Sequence, residues 1–243
     1  MRLLVSVVDV EEARAAAAAG ADIVDVKNPA EGSLGAPEPA VIAGVRAAVP
    51  AELPVSAAIG DMPNLPGTAA LAALGAARSG ATFVKVGLWG VSTEEEAVAL
   101  LRAVGDGVAG VPGAVVVAAG YADARRTAHA PLAPELLPRE ARAVGVGACL
   151  LDTAVKDGRG LLEWLSPGAL ASLVADAHAA GLRVALAGGL RAEDLPVVRD
   201  TAADIAGVRS AACGDGRRSA PLDAARVRAA VAACAATPPR ASR

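Results

Sequence analysis

The chain carries 23 basic residues, and only three of them are lysine: Lys27, Lys85 and Lys156. Arginine supplies the positive charge everywhere else. A guanidinium is never usefully deprotonated, whereas an amine can lose its proton and attack a carbonyl. The three lysines are therefore candidates for positions that arginine cannot fill. Lys27 closes Asp25-Val26-Lys27, Lys85 sits in Phe83-Val84-Lys85-Val86-Gly87, and Lys156 follows Leu150-Leu151-Asp152-Thr153-Ala154-Val155. An amine crowded by another ammonium, or partly desolvated, has its pKa lowered and becomes a nucleophile near neutral pH. It forms a Schiff base with an aldehyde or ketone, and the iminium acidifies the adjacent C–H. A second amine, or a carboxylate such as Asp25 or Asp152, then moves protons. This is aldolase-type chemistry that calls for no metal and no cofactor. Metal catalysis needs a ligand cluster, and the sequence offers two histidines without ligand spacing: His129 in a polar loop and His178 within a helical run, both read as surface residues. Two plainer readings compete: strand-end charges facing solvent, or a buried ion-pair network. Buried pairs are poor evidence for stability, because desolvation offsets most of the attraction.

The elements that must position these groups form a strand–helix pattern repeated eight times. Candidate strands are Leu3–Val8, Ile23–Lys27, Pro54–Gly60, Phe83–Leu88, Ala114–Gly120, Ala148–Thr153, Arg183–Gly188 and Ile205–Arg209. Each is a short apolar run, as strands buried on both faces should be. Alanine-rich helical runs lie between them. Asp9 with Glu12, and Thr93 with Glu96, mark helix starts; Ser166-Pro167 opens another helix and Gly181 closes it. The 243 residues fit one (β/α)₈ (TIM) barrel, which takes about 250. A doubly wound open sheet is the structural alternative. No linker divides the chain, so 1–236 reads as a single catalytic barrel domain and Thr237–Arg243 as a frayed tail.

A barrel's active site lies at the C-terminal ends of its strands, and each interior layer draws on alternate strands. Asp25, Lys27, Lys85, Asp152 and Arg209 all come from even-numbered strands, so one register can aim all five into the barrel mouth. The loops after strands 7 and 8 often bind phosphate in such barrels. Here they carry Gly188 and Gly189, which let backbone N–H groups approach an anion, and Arg209 and Ser210, which add charge and a hydroxyl. Gly105-Asp106-Gly107-Val108-Ala109-Gly110 matches G-x-G-x-x-G, but it follows a helix and precedes a strand. It is read as a helix stop and turn, not a dinucleotide site.

Composition removes other classes. Hydrophobic residues make up 54% and aromatics 2%, with a net charge of −3 and no basic run, which excludes nucleic-acid binding. Mean hydropathy is +0.45, yet every long uncharged stretch is broken by Pro or Gly, so no membrane span is expected. The Met1–Ser6 run is too short for a signal peptide. Three widely spaced cysteines, Cys149, Cys213 and Cys234, suggest a reducing cytosol. A cytoplasmic enzyme is expected, associating with copies of itself through apolar helix faces.

The chain resembles the (5-formylfuran-3-yl)methyl phosphate synthase family of methanofuran biosynthesis. The resemblance is carried by Asp25-Val26-Lys27-Asn28-Pro29-Ala30-Glu31-Gly32-Ser33-Leu34-Gly35-Ala36, Phe83–Leu88, Val117–Ala124 and Leu151–Gly158, in register over nearly the whole chain. It implies a (β/α)₈ barrel that joins two molecules of glyceraldehyde 3-phosphate into a furan aldehyde phosphate, with loss of one phosphate and two waters. On the matching positions it implies Lys27 as the Schiff-base lysine and Lys85 as proton acceptor, with Asp25, Asp152 and Lys156 completing the site. Gly188-Gly189-Leu190 and Gly214–Ser219 depart from the family pattern, so the phosphate contacts carry over least. The long loop Asn28–Ala36 is expected to fold over the site and exclude water. A different Schiff-base aldolase acting on a sugar phosphate, or a barrel that only binds a phosphorylated metabolite, would fit the lysines as well.

Overall fold

A computed structural model describes residues 1–127 and 131–235. His129 and the tail Thr237–Arg243 lie outside the described residues. Eight parallel strands close into a barrel in the order β1 to β8. They are β1 (Arg2–Val7), β2 (Ile23–Val26), β3 (Val55–Pro63), β4 (Phe83–Gly90), β5 (Val115–Tyr121), β6 (Ala148–Asp152), β7 (Arg183–Leu186) and β8 (Ile205–Val208). The helices that alternate with them are α1 (Val10–Ala18), α2 (Pro39–Ala48), α3 (Pro66–Arg78), α4 (Glu94–Val108), α5 (Leu137–Ala143), α6 (Pro167–Ala179), α7 (Leu195–Asp200) and α8 (Ala224–Ala235). The fold is the expected (β/α)₈ barrel, not the open sheet.

The helix starts follow their sequence signals. The Asp9 side chain accepts from the Glu12 amide, Thr93 and Glu96 form a capping box, and Ser166 caps α6 ahead of Pro167. The G-x-G-x-x-G segment ends a helix as expected, but α4 runs through Gly105 and Gly107 and stops only at Val108. None of the helices among the described residues is long and apolar enough to cross a membrane.

Apolar residues divide into two shells. One lies between sheet and helices and includes Val5, Val24, Val84, Leu151 and Val184. The other fills the barrel interior, where Leu4, Ile23, Ala58, Phe83, Val117, Ala119, Ala148, Leu150, Ala185 and Ile205 point inward. Alanine occupies so many interior positions that the lumen is not filled. A cavity of about 670 Å³ runs from Arg217 and Arg218 at the mouth down to Phe83 and Arg183. The Arg183 guanidinium lies over the Phe83 ring, 5.4 Å from its centroid.

Candidate active site

Strand pairing sets the site. Asp25 pairs with Ser6 and Ser56, Lys85 pairs with Ala58 and Val117, and Asp152 pairs with Tyr121. Side chains alternate along a strand. The residues with Ile23 on β2, Phe83 on β4 and Leu150 on β6 therefore include Asp25 and Lys27, Lys85, and Asp152. All four line the cavity together with Lys156. Asp25, Lys85 and Asp152 lie on the even strands, as the alternation predicts, with Lys27 immediately past β2.

Lys85 Nζ stands 2.6 Å from Asp25 Oδ1, with both side chains less than 5% exposed. Ser6 Oγ donates to the other oxygen, Asp25 Oδ2, at 2.9 Å. Lys27 keeps its backbone amide on Val7 O of β1 and points its Nζ at Ser33 O, 3.4 Å away. Burial pulls the Lys27 amine down to about 8, and the ammonium groups of Lys85 and Lys156 push the same way against Asp152 and Asp25. Lys156 Nζ donates to Asp152 Oδ1 at 2.7 Å, Thr153 O at 2.6 Å and Thr153 Oγ1 at 3.1 Å. Burial pushes the Asp152 carboxyl up. The ammonium groups of Lys156 and Lys27, with hydrogen bonds from Lys156 and the Thr153 amide, outweigh it and hold the group at about 2.

The side of the cavity after β7 and β8 is not a simple rim of free charge. Gly188, Gly189, Arg209 and Ser210 all line the cavity. The Arg209 guanidinium, however, is engaged by both oxygens of Glu12 on α1 and by the carbonyls of Ser6, Arg218 and Ala220. Glu12 also accepts from the Val8 and Leu222 amides. Arg209 thus braces the segment after β8, and Arg217, Arg218 and Arg226 line the same cavity beside it.

Three residues with no role assigned from sequence tie the loops down. Asp61, near the end of β3, accepts from the Ser33 and Leu34 amides through Oδ2, at 2.8 and 3.3 Å. The Tyr121 hydroxyl donates to its other oxygen, Oδ1. Asp123 accepts from the Ala154 and Val155 amides at 2.6 and 2.9 Å and so holds the segment that carries Lys156. The signals available were thin: one carboxylate near the end of β3, the single tyrosine, and an aspartate two residues beyond it. His178 stands on α6 and bonds Asp204 at 2.9 Å, away from the cavity lining. Among the described residues, no three His, Cys, Asp or Glu side chains are grouped to hold a metal ion.

Fold and cavity define a TIM barrel with a lysine-lined site at its C-terminal mouth. Its neighbours among solved structures share the fold at low identity. A 3-hexulose-6-phosphate synthase from Salmonella typhimurium superposes with a TM-score of 0.66 at 16% identity, covering 96% of this chain and 98% of that one. Phosphoribosyl anthranilate isomerase from Thermus thermophilus gives 0.60 at 20%, covering 96% and 98%. Sequence is more specific: residues 3–231 match the 4-HFC-P synthase family, and the chain belongs to it. The (5-formylfuran-3-yl)methyl phosphate synthase of Methanocaldococcus jannaschii is 49% identical over 220 residues, 90% of this chain and 93% of that protein. The protein of the same name from Methanopyrus kandleri is 50% identical over 219 residues, covering 90% and 92%.

Proposed function

We propose that the protein condenses two molecules of glyceraldehyde 3-phosphate into (5-formylfuran-3-yl)methyl phosphate, releasing one phosphate and two waters, through a Schiff base on Lys27. The observation that carries this reading is the Lys27 amine itself. It is buried in the cavity, drawn down to about 8, and stands beside a second lysine already paired with a carboxylate. The Lys27 nitrogen attacks the aldehyde carbon of one triose, and loss of water gives the iminium. That cation acidifies the neighbouring C–H, whose proton passes to the Lys85–Asp25 pair. The electron pair left on carbon expels phosphate from the next carbon. Asp152 and Lys156 hold the opposite wall, and the glycines and arginines after β7 and β8 receive phosphate oxygens. The family membership of the chain supports the product.

Borohydride reduction in the presence of glyceraldehyde 3-phosphate should leave an adduct on the peptide containing Lys27. Three lysines make the peptide map unambiguous. The unreduced reaction should develop the near-ultraviolet absorbance of a furan aldehyde. An adduct without that absorbance would point to a different sugar-phosphate aldolase. Saturable binding without any adduct would point to a non-catalytic barrel.

A further inference from the structure

We propose that Asp61 and Tyr121 are positioning residues for the lysine site: together they latch the Asn28–Gly35 loop so that the Ser33 carbonyl sits on the Lys27 amine and water is kept off it. The loop is closed on itself, since the Asn28 amide donates to Gly35 O at 2.9 Å and Asn28 Oδ1 accepts from the Ala30 amide. A closed loop still has to be fixed to the barrel; the Arg218 guanidinium donates to Gly32 O at 3.3 Å from the segment after β8, and two further links do the rest. One is Asp61, whose Oδ2 takes the Ser33 and Leu34 amides while Oδ1 takes the Tyr121 hydroxyl. The other is Ser33 Oγ, which donates to Thr153 O at 2.8 Å. Thr153 O also accepts from Lys156, so Ser33 is itself a partner of Lys27 and shares an acceptor with Lys156.

Space for the latch is built into the backbone. A Cβ at Gly87 would collide with the Tyr121 hydroxyl, and one at Gly32 with Asp61 Oδ2. Trp89 packs edge-on against the Tyr121 ring, with centroids 5.6 Å apart, and sets its angle. Burial raises the Tyr121 phenol well above its ordinary range, with the Asp61 charge second, so it stays a donor.

The inference rests on Lys27 being the reacting amine, but its test does not require turnover. The groups facing Lys27 are Asp25 two residues before it on β2, Lys85 from β4, and Asp152 and Lys156 from β6 and the loop beyond it. Burial is the largest cause of its lowered pKa, and the latched loop forms part of that cover. Protein labelled with [¹³C]lysine shows one Cε signal for each of its three lysines, and Lys27→Arg assigns the Lys27 signal. In Asp61→Asn and in Tyr121→Phe, the Lys27 titration should move up towards the ordinary lysine value, by about one pH unit in the first and less in the second. The sign is decisive. Removing a carboxylate lowers the pKa of a nearby amine, whereas letting water reach the amine raises it. A fall or no change in folded Asp61→Asn, with no change in Tyr121→Phe, overturns the proposal; if Asp61→Asn does not fold, Tyr121→Phe alone decides. Failure of the Schiff-base reading would show separately, as absence of a borohydride adduct in the unaltered protein.

Discussion

At the scale of single residues, the two buried lysines differ in what surrounds them. Lys85 is held by a carboxylate at 2.6 Å, while the Lys27 amine is aimed at a carbonyl. Lys85→Arg keeps a cation beside Asp25 but cannot titrate usefully. It should still permit trapping at Lys27 while turnover falls by about 10²-fold or more. Lys27→Arg should abolish trapping altogether. Near-normal turnover by Lys85→Arg would move the proton-transfer role to Asp25 or Lys156. The pH profile of trapping follows from the Lys27 value of about 8. Only the free amine attacks, so at pH 7 about one molecule in ten is competent, against fewer than about one in a thousand for an ordinary lysine. Initial trapping rates with cyanoborohydride should rise with pH and level off above about 8. A rate still climbing at pH 10 would contradict the assignment.

At the scale of elements, the strands were legible because a strand buried on both faces is a continuous apolar run. All eight candidates correspond to barrel strands. The ends were less legible. The candidates stop at Gly60 and Leu88, yet β3 and β4 continue past a register shift to pair Asp61 with Gly87 and Pro63 with Gly90. Parity along the strands brought out Asp25, Lys27, Lys85 and Asp152, because alternation is a property of local sequence. Asp61, Tyr121 and Asp123 stayed silent for the opposite reason. Their partners are backbone amides and side chains 27 to 60 positions away, brought close only by barrel closure. Arg209 was visible as a charge at a strand end, but its pairing with Glu12 across 197 positions was not. Asp123 offers a test at this scale. Asp123→Ala leaves two amides of the Lys156 segment without their acceptor. It should cost about 1–3 kcal/mol of stability and several degrees of melting temperature. The KM for triose phosphate should rise with it. An unchanged melting temperature and KM would show that the segment is held by other contacts.

At the scale of the whole molecule, the same compositional bias shapes interior and surface. Alanine inside leaves a lumen, and arginine outside leaves lysine only where the cavity is: Lys27, Lys85 and Lys156 all line it. An acylating ester should therefore modify the N-terminus and cavity amines alone, and inorganic phosphate at saturating concentration should slow labelling of Lys156, the most exposed of them. Equal labelling with and without phosphate would place the anion away from that wall. The distribution also bears on the chemical hazard of handling a free aldehyde. Triose phosphates condense indiscriminately with protein amines and, on rearrangement, scar them. On the proposed function, a protein with no side-chain amine outside its cavity offers its substrate no other lysine to glycate, and carbonyl chemistry is directed to the place where the adduct can be turned over.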